Sequence, residues 1–212
     1  MENNNEAKIT IDPAKTALLL LHWQNELAAR GGKGAGDMLE RLSVSHTIEH
    51  TQAVLKTSRE KGILVIYVNG SHRPGYPEIA AKPFPMASHL VESGVLIRGT
   101  WGAEVIDQLK PRSDEIVIYN YSTSGFCYTE LDLILRNKGI TDLVLSGLAT
   151  NWVVESTARD GANRGYFLYT LKDCCNSLND ELHNWTLTNI LPSFGVVLDS
   201  EAYITALQGQ VG

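Results

Sequence analysis

The sequence predicts a three-layer α/β/α domain around a central, mostly parallel six-stranded sheet, and three observations predict it. Six apolar runs are continuous rather than alternating, as in strands buried on both faces. Helical segments that end at glycine or proline fall between most of them. At 212 residues the chain has the size of one such domain.

The strand runs are residues 16–21 (TALLLL), 62–68 (GILVIYV), 115–119 (EIVIY), 142–145 (DLVL, running on to Gly147), 166–171 (YFLYTL) and 195–198 (GVVL). Residues 44–61 carry Val44, Ile48, Thr51 and Leu55 at helical spacing and stop at Gly62. Residues 130–138 follow Thr129 as a candidate N-cap and stop at Gly139. Residues 151–164 stop at Gly165, and residues 180–191 stop before Pro192. Residues 71–85 hold four of the seven prolines and read as a long loop. Alternation of strand and helix gives the α/β class. One domain is expected over residues 1–212, with residues 1–12 a flexible polar tail.

The hydrophobic fraction is 43% and the charged fraction 20%, enough for an ordinary globular core. The net charge of −6 with no basic cluster argues against a nucleic-acid partner. No apolar run approaches the ~20 residues that span a bilayer, and the acidic start is unlike a signal peptide. Cys127, Cys174 and Cys175 are odd in number and two are adjacent, which suits a reducing cytoplasm better than a disulfide framework. Their spacing resembles no zinc site. The partner expected is a small molecule.

Ligands of open α/β sheets bind beyond the carboxyl ends of the strands. That rule selects residues 22–26 (HWQNE), 69–74 (NGSHRP), 120–126 (NYSTSGF) and 147–153 (GLATNWV). The last segment opens a helix, whose amides suit an oxyanion or carboxylate. Trp23, Trp101, Tyr121, Phe126, Tyr128 and Trp152 crowd this mouth. Such a lining fits an aromatic or cyclic, largely uncharged ligand. Core or subunit packing is the alternative, and the preferred one for Trp101 and Tyr128. His22 is the ionisable residue at the centre, either an acid/base near its ordinary pKa of ~6.5 or a buried neutral histidine.

These segments carry a family resemblance over residues 14–197. LLLLHWQN, RPGYPE, GTWGAE, the Ser124-Gly125-Phe126 segment with its helix, and GLATN followed by ESTARD are similar to motifs of the isochorismatase-like, or cysteine hydrolase, superfamily. The resemblance implies that fold, a dimer or tetramer, and catalysis by aspartate, lysine and cysteine. It places those three at His22, Asn120 and Val153. Val153 has no heteroatom to attack with, so the resemblance does not carry the covalent mechanism over. It also implies a cis Leu148–Ala149 peptide whose amides, with that of Val153, form an oxyanion hole. Substrate contacts then fall on Trp23, Trp101, Tyr121, Phe126, Ala149, Asn151, Trp152, Val153 and Arg73.

Some relatives bind a metal after the second strand. Here the aspartate is missing and His72 is the one histidine, so no metal and no cofactor are expected. Arg73 is read as a partner for a substrate carboxylate or as a solvated loop arginine. Two functions remain open. One is non-covalent acid/base chemistry (hydrolysis, isomerisation or a lyase step) centred on His22, with Asn120 as hydrogen-bond donor. The other is a catalytically silent scaffold that binds a ligand or a partner. Covalent chemistry through Cys127 is a third and weaker reading, a packing role being preferred for it.

Overall fold

In the computed structural model, which describes residues 9–209, the six strands form one all-parallel sheet in the order β3-β2-β1-β4-β5-β6. They are β1 (Thr16–Leu21), β2 (Leu64–Gly70), β3 (Ile116–Asn120), β4 (Asp142–Leu148), β5 (Phe167–Asn176) and β6 (Gly195–Leu198). The helices are α1 (Asn25–Ala28), α2 (Met38–Val44), α3 (Thr47–Glu60), α4 (Pro85–Ser93), α5 (Leu131–Asn137), α6 (Glu155–Asn163), α7 (Asp180–Trp185) and α8 (Ser200–Gln208). All six residues of β1 are buried, which is why the run reads as unbroken leucine.

The two faces of the sheet carry separate cores. Leu18, Leu20, Tyr67 and Val144 pack with Leu42 of α2, Leu55 of α3 and Tyr203 of α8. Leu19, Leu21, Val68 and Leu145 pack with Leu131 and Leu135 of α5 and Ala158 of α6. The three-layer expectation is therefore met.

Strand order reverses between β1 and β4, and the rule for open sheets puts the ligand crevice at that switch. The two strands approach closely there. A Cβ built on Gly147 would lie 2.5 Å from the Leu21 carbonyl oxygen, so only glycine fits. The ladder of β4 with β5 also shifts register between Leu145 and Gly147.

Several boundaries differ from the sequence reading. The helix expected over residues 44–61 begins only at Thr47, because Ser45 ends α2 and His46 takes a left-handed φ of 52°. Val44 thus closes α2 and is 76% exposed. α7 stops at Trp185 and continues as a π turn, Thr186–Ile190, then a 3-10 turn, Leu191–Ser193. β5 runs five residues past Leu171, to Asn176. The expected tail lies outside the described residues up to position 8, but Ile11 is only 1% exposed and Asp12 caps a 3-10 turn at Ala14. The described chain has no helix long and apolar enough to cross a membrane.

Candidate active site

β1 ends at Leu21, and His22 turns the chain with a φ of 58° while its amide donates to Val68 O at 2.8 Å. Its imidazole reaches past the end of β2 to the end of β3, where Nε2 lies 2.9 Å from Asn120 Oδ1. Gly70 sits between, paired with Asn120 in the ladder. A Cβ there would stand 3.5 Å from His22 Cε1, so the ring packs over the Gly70 backbone.

Asn120 decides the tautomer of His22. Its Nδ2 donates to Ser122 O at 2.8 Å and Ser124 O at 3.0 Å, which fixes the amide with Oδ1 toward the imidazole. An amide oxygen only accepts, so His22 Nε2 carries the hydrogen. The Nδ1 lone pair has no partner among the described residues, and Nδ1 is not sealed from solvent. Burial lowers the His22 pKa to about 4, against the Asn120 hydrogen bond that raises it and with the neighbouring His72 lowering it further. At neutral pH the ring is therefore an uncharged acceptor.

At the end of β4 the Leu148–Ala149 peptide is cis, and residues Thr150–Val154 form a π turn that leads into α6. Thr150 Oγ1 is tied to Asn176 O at 3.0 Å and to His183 Nδ1 at 2.8 Å. The segment after β3 is tied to α6 as well, by Ser124 Oγ to Asp160 Oδ2 at 2.5 Å and Gly125 N to Thr157 Oγ1 at 2.9 Å. The ends of β1 and β3 are thus joined through His22 and Asn120, and the segment after β3 is tied to the helix that follows β4. No group of three or more metal-ligating side chains occurs among the described residues.

A model of the isochorismatase domain matches residues 16–202 of this sequence. The chain belongs to the isochorismatase family. It is 32% identical over 212 residues to the ureidoacrylate amidohydrolase RutB of Acinetobacter baylyi, covering 94% of this chain and 86% of that protein. The RutB of Methylobacterium radiotolerans is also 32% identical, over 94% of this chain and 82% of its own. Among solved structures, a cysteine hydrolase from Pseudomonas syringae superposes with a TM-score of 0.84 at 23% identity, covering 95% of this chain and 96% of that one. N-carbamoylsarcosine amidase from Thermoplasma acidophilum gives 0.70 at 29% identity over 88% and 97% of the two chains.

Within this isochorismatase-family fold the expected contact residues divide. Trp23 is a correction: it is fully buried in the core on the α3 side, with Nε1 donating to Ser146 Oγ at 3.1 Å. The turn at His22 rotates the next side chain inward, away from any ligand. Phe126 is buried and stacked on Tyr166 with centroids 5.8 Å apart. Val153 is enclosed in the opposite core, beside Val154 and Ala158. Arg73 is engaged by Glu78, Nε to Oε1 at 2.5 Å. Burial opposes ionisation of Glu78, yet its own amide and Arg73 hold its pKa below the ordinary carboxylate value. The Arg73 side chain is 63% exposed, a loop arginine paired with Glu78. Trp152 and Trp101 are 46% and 52% exposed, Asn151 accepts from Ser177 Oγ at 2.5 Å, and Tyr121 lies partly buried after β3. Cys174 and Cys175 are buried, and burial pushes both thiols up, Cys175 to about 12.

Sequence reasoning placed Gln24, Asn69 and His72 at the strand ends but gave no sign of their unpartnered atoms. Gln24 Nε2 donates to Gly70 O at 2.7 Å and Ala103 O at 2.8 Å, leaving its buried Oε1 unpartnered. Asn69 Oδ1 and His72 Nδ1 are likewise buried without a partner. Arg98 lies nearby, bonded to Ser71 Oγ and Tyr121 OH. Arg98 sits in an irregular segment far from any strand end, so no local signal marks it.

Proposed function

We propose that this chain hydrolyses the carbonyl C–N bond of a small amide or carbamoyl compound without a covalent intermediate, with His22 as the base. The observation that carries the reading is the fixed Nε2–H tautomer, which leaves the Nδ1 lone pair free at the switch point. Water adds to the carbonyl carbon while Nδ1 takes one of its protons, giving an imidazolium and a tetrahedral oxyanion. Backbone amides of Ala149 and Val153 hold that oxyanion in this reading, where one such donor is worth about 3–4 kcal/mol. Collapse of the intermediate breaks the C–N bond, and the imidazolium returns the proton to the departing nitrogen. The names of RutB and N-carbamoylsarcosine amidase support the bond class.

The Asp-Lys-Cys mechanism has no support in the side chains present. Val153 cannot attack, and Cys174 and Cys175 are buried with raised thiol pKa values. The test is turnover of a panel of small amides and ureides by wild type and His22→Ala. Turnover that survives in a folded His22→Ala protein overturns the role of His22. A covalent adduct found by mass spectrometry of quenched reactions overturns the non-covalent route.

A second reading, a non-catalytic binding scaffold, is favoured by one observation. A conjugate acid near pKa 4 makes His22 a weak base. Tight ligand binding with no turnover across the panel would decide for it.

A further inference from the structure

We propose that Arg98 is the anion-recognition residue of this site and that its ligands carry a carboxylate. The inference deepens the hydrolytic reading, since it concerns the substrate of the same crevice. It rests on how the two arginines of the mouth are partnered. Arg73 is paired with Glu78. Arg98 is half-buried and has no carboxylate partner among the described residues.

The guanidinium of Arg98 is nonetheless held in place. Nε donates to Ser71 Oγ at 3.2 Å and Nη2 to Tyr121 OH at 2.7 Å. Its carbon stands 4.4 Å above the Tyr119 ring and 5.8 Å from that of Tyr121. Stacked and doubly bonded, the side chain has already lost the freedom that an anion would otherwise cost it. Nη1 makes no bond to any described residue. A partly desolvated cation without a counter-ion is an unfavourable arrangement that a bound carboxylate relieves.

His72 supplies the independent sign of a ligand. It is only 4% exposed, yet Nδ1 has no partner. Its ring meets the edge of Tyr121, with centroids 6.1 Å apart, so His72 and Arg98 flank the same tyrosine. The His72 amide donates to Leu96 O at 2.9 Å and the Arg98 amide to His72 O at 2.8 Å, which locks the two segments together. Both anchors of Arg98 adjoin Asn120, the partner of His22: Ser71 donates its amide to Asn120 O at 3.1 Å, and Tyr121 is the next residue in the chain. A carboxylate between Arg98 and His72 thereby sits in the crevice that holds the base. The largely uncharged ligand expected from the aromatic lining is replaced by an anionic one.

The test compares three-to-six-carbon monocarboxylates with the primary amides of the same acids, with binding read by calorimetry. Measuring in His22→Ala separates recognition from turnover, so a failure of the catalytic reading leaves this test intact. The expected result is at least tenfold tighter binding of the acids, a preference lost in His22→Ala/Arg98→Gln. No preference in the His22→Ala background, or a preference kept after Arg98→Gln, overturns the proposal. So does inorganic phosphate that competes as well as the carboxylates, because the site would then be one for free anions. If Arg98→Gln does not fold, Arg98→Met carries the test. That variant removes the charge while keeping a long apolar side chain against the tyrosines, and an undiminished preference in it refutes the assignment.

Discussion

His22 donates its Nε2 proton to Asn120 Oδ1 across 2.9 Å, and the Asn120 amide cannot turn over without giving up two bonds of its own. Removing that amide frees the ring to change tautomer. Asn120→Ala is expected to cut turnover several-fold, in line with about 1 kcal/mol for one hydrogen bond. Asn120→Asp acts oppositely on charge, since a carboxylate against Nε2–H favours the imidazolium. The His22 pKa should rise from about 4 toward its ordinary value, followed by NMR titration of the ring.

The same group predicts how stability and rate depend on pH. His22 titrates near 4 when folded and near 6.5 in its ordinary state, so between those values the unfolded chain binds more protons. The contribution of His22 to stability is therefore present above pH 6.5 and is lost as pH falls toward 4. Melting curves of wild type and His22→Gln should converge over that window and run parallel above it. The acid limb of kcat/KM should fall near pH 4, and a limb near 6.5 would show that His22 is not the base.

Trp23 belongs to the core and not to the crevice. Trp23→Phe loses the bond to Ser146 Oγ, while Ser146 keeps its own bond to Cys174 O at 2.8 Å. The variant is expected to lose about 1–3 kcal/mol of stability in denaturant unfolding. Its KM should match that of wild type. A raised KM at unchanged stability would return Trp23 to the binding surface.

Alkylation distinguishes the thiols. Cys174 and Cys175 are buried with raised pKa values, so iodoacetamide is expected to leave both unmodified in the folded protein. Cys127 is partly exposed and is the one expected to label. Turnover should persist after labelling. Loss of activity in proportion to Cys127 modification would establish the cysteine route that the proposed mechanism omits.

Much of the frame was legible in the chain because strands buried on both faces leave continuous apolar runs. The run of residues 16–21 coincides with β1 throughout. Pattern failed where one backbone angle overrides it. Nothing in the sequence marks the left-handed turn at His46 that divides α2 from α3. The turn at His22 likewise sends Trp23 into the core, although its neighbour in sequence lines the crevice. The position of His22 followed from the end of a strand, but its partner atom depends on two carbonyls after β3. Arg98 was out of reach because its environment is assembled from Ser71, Tyr119 and Tyr121, on two other segments.

The bare Gly147 has one more consequence. A side chain there would wedge β1 and β4 apart at Leu21, at the level of the crevice. The pitch of that crevice is thus written in main chain, and the residues at 22, 120 and 153 are fittings on a chassis whose strand spacing they do not set. Gly147→Ala is expected to force β1 and β4 apart at Leu21 and so to lower turnover whichever side chains line the crevice.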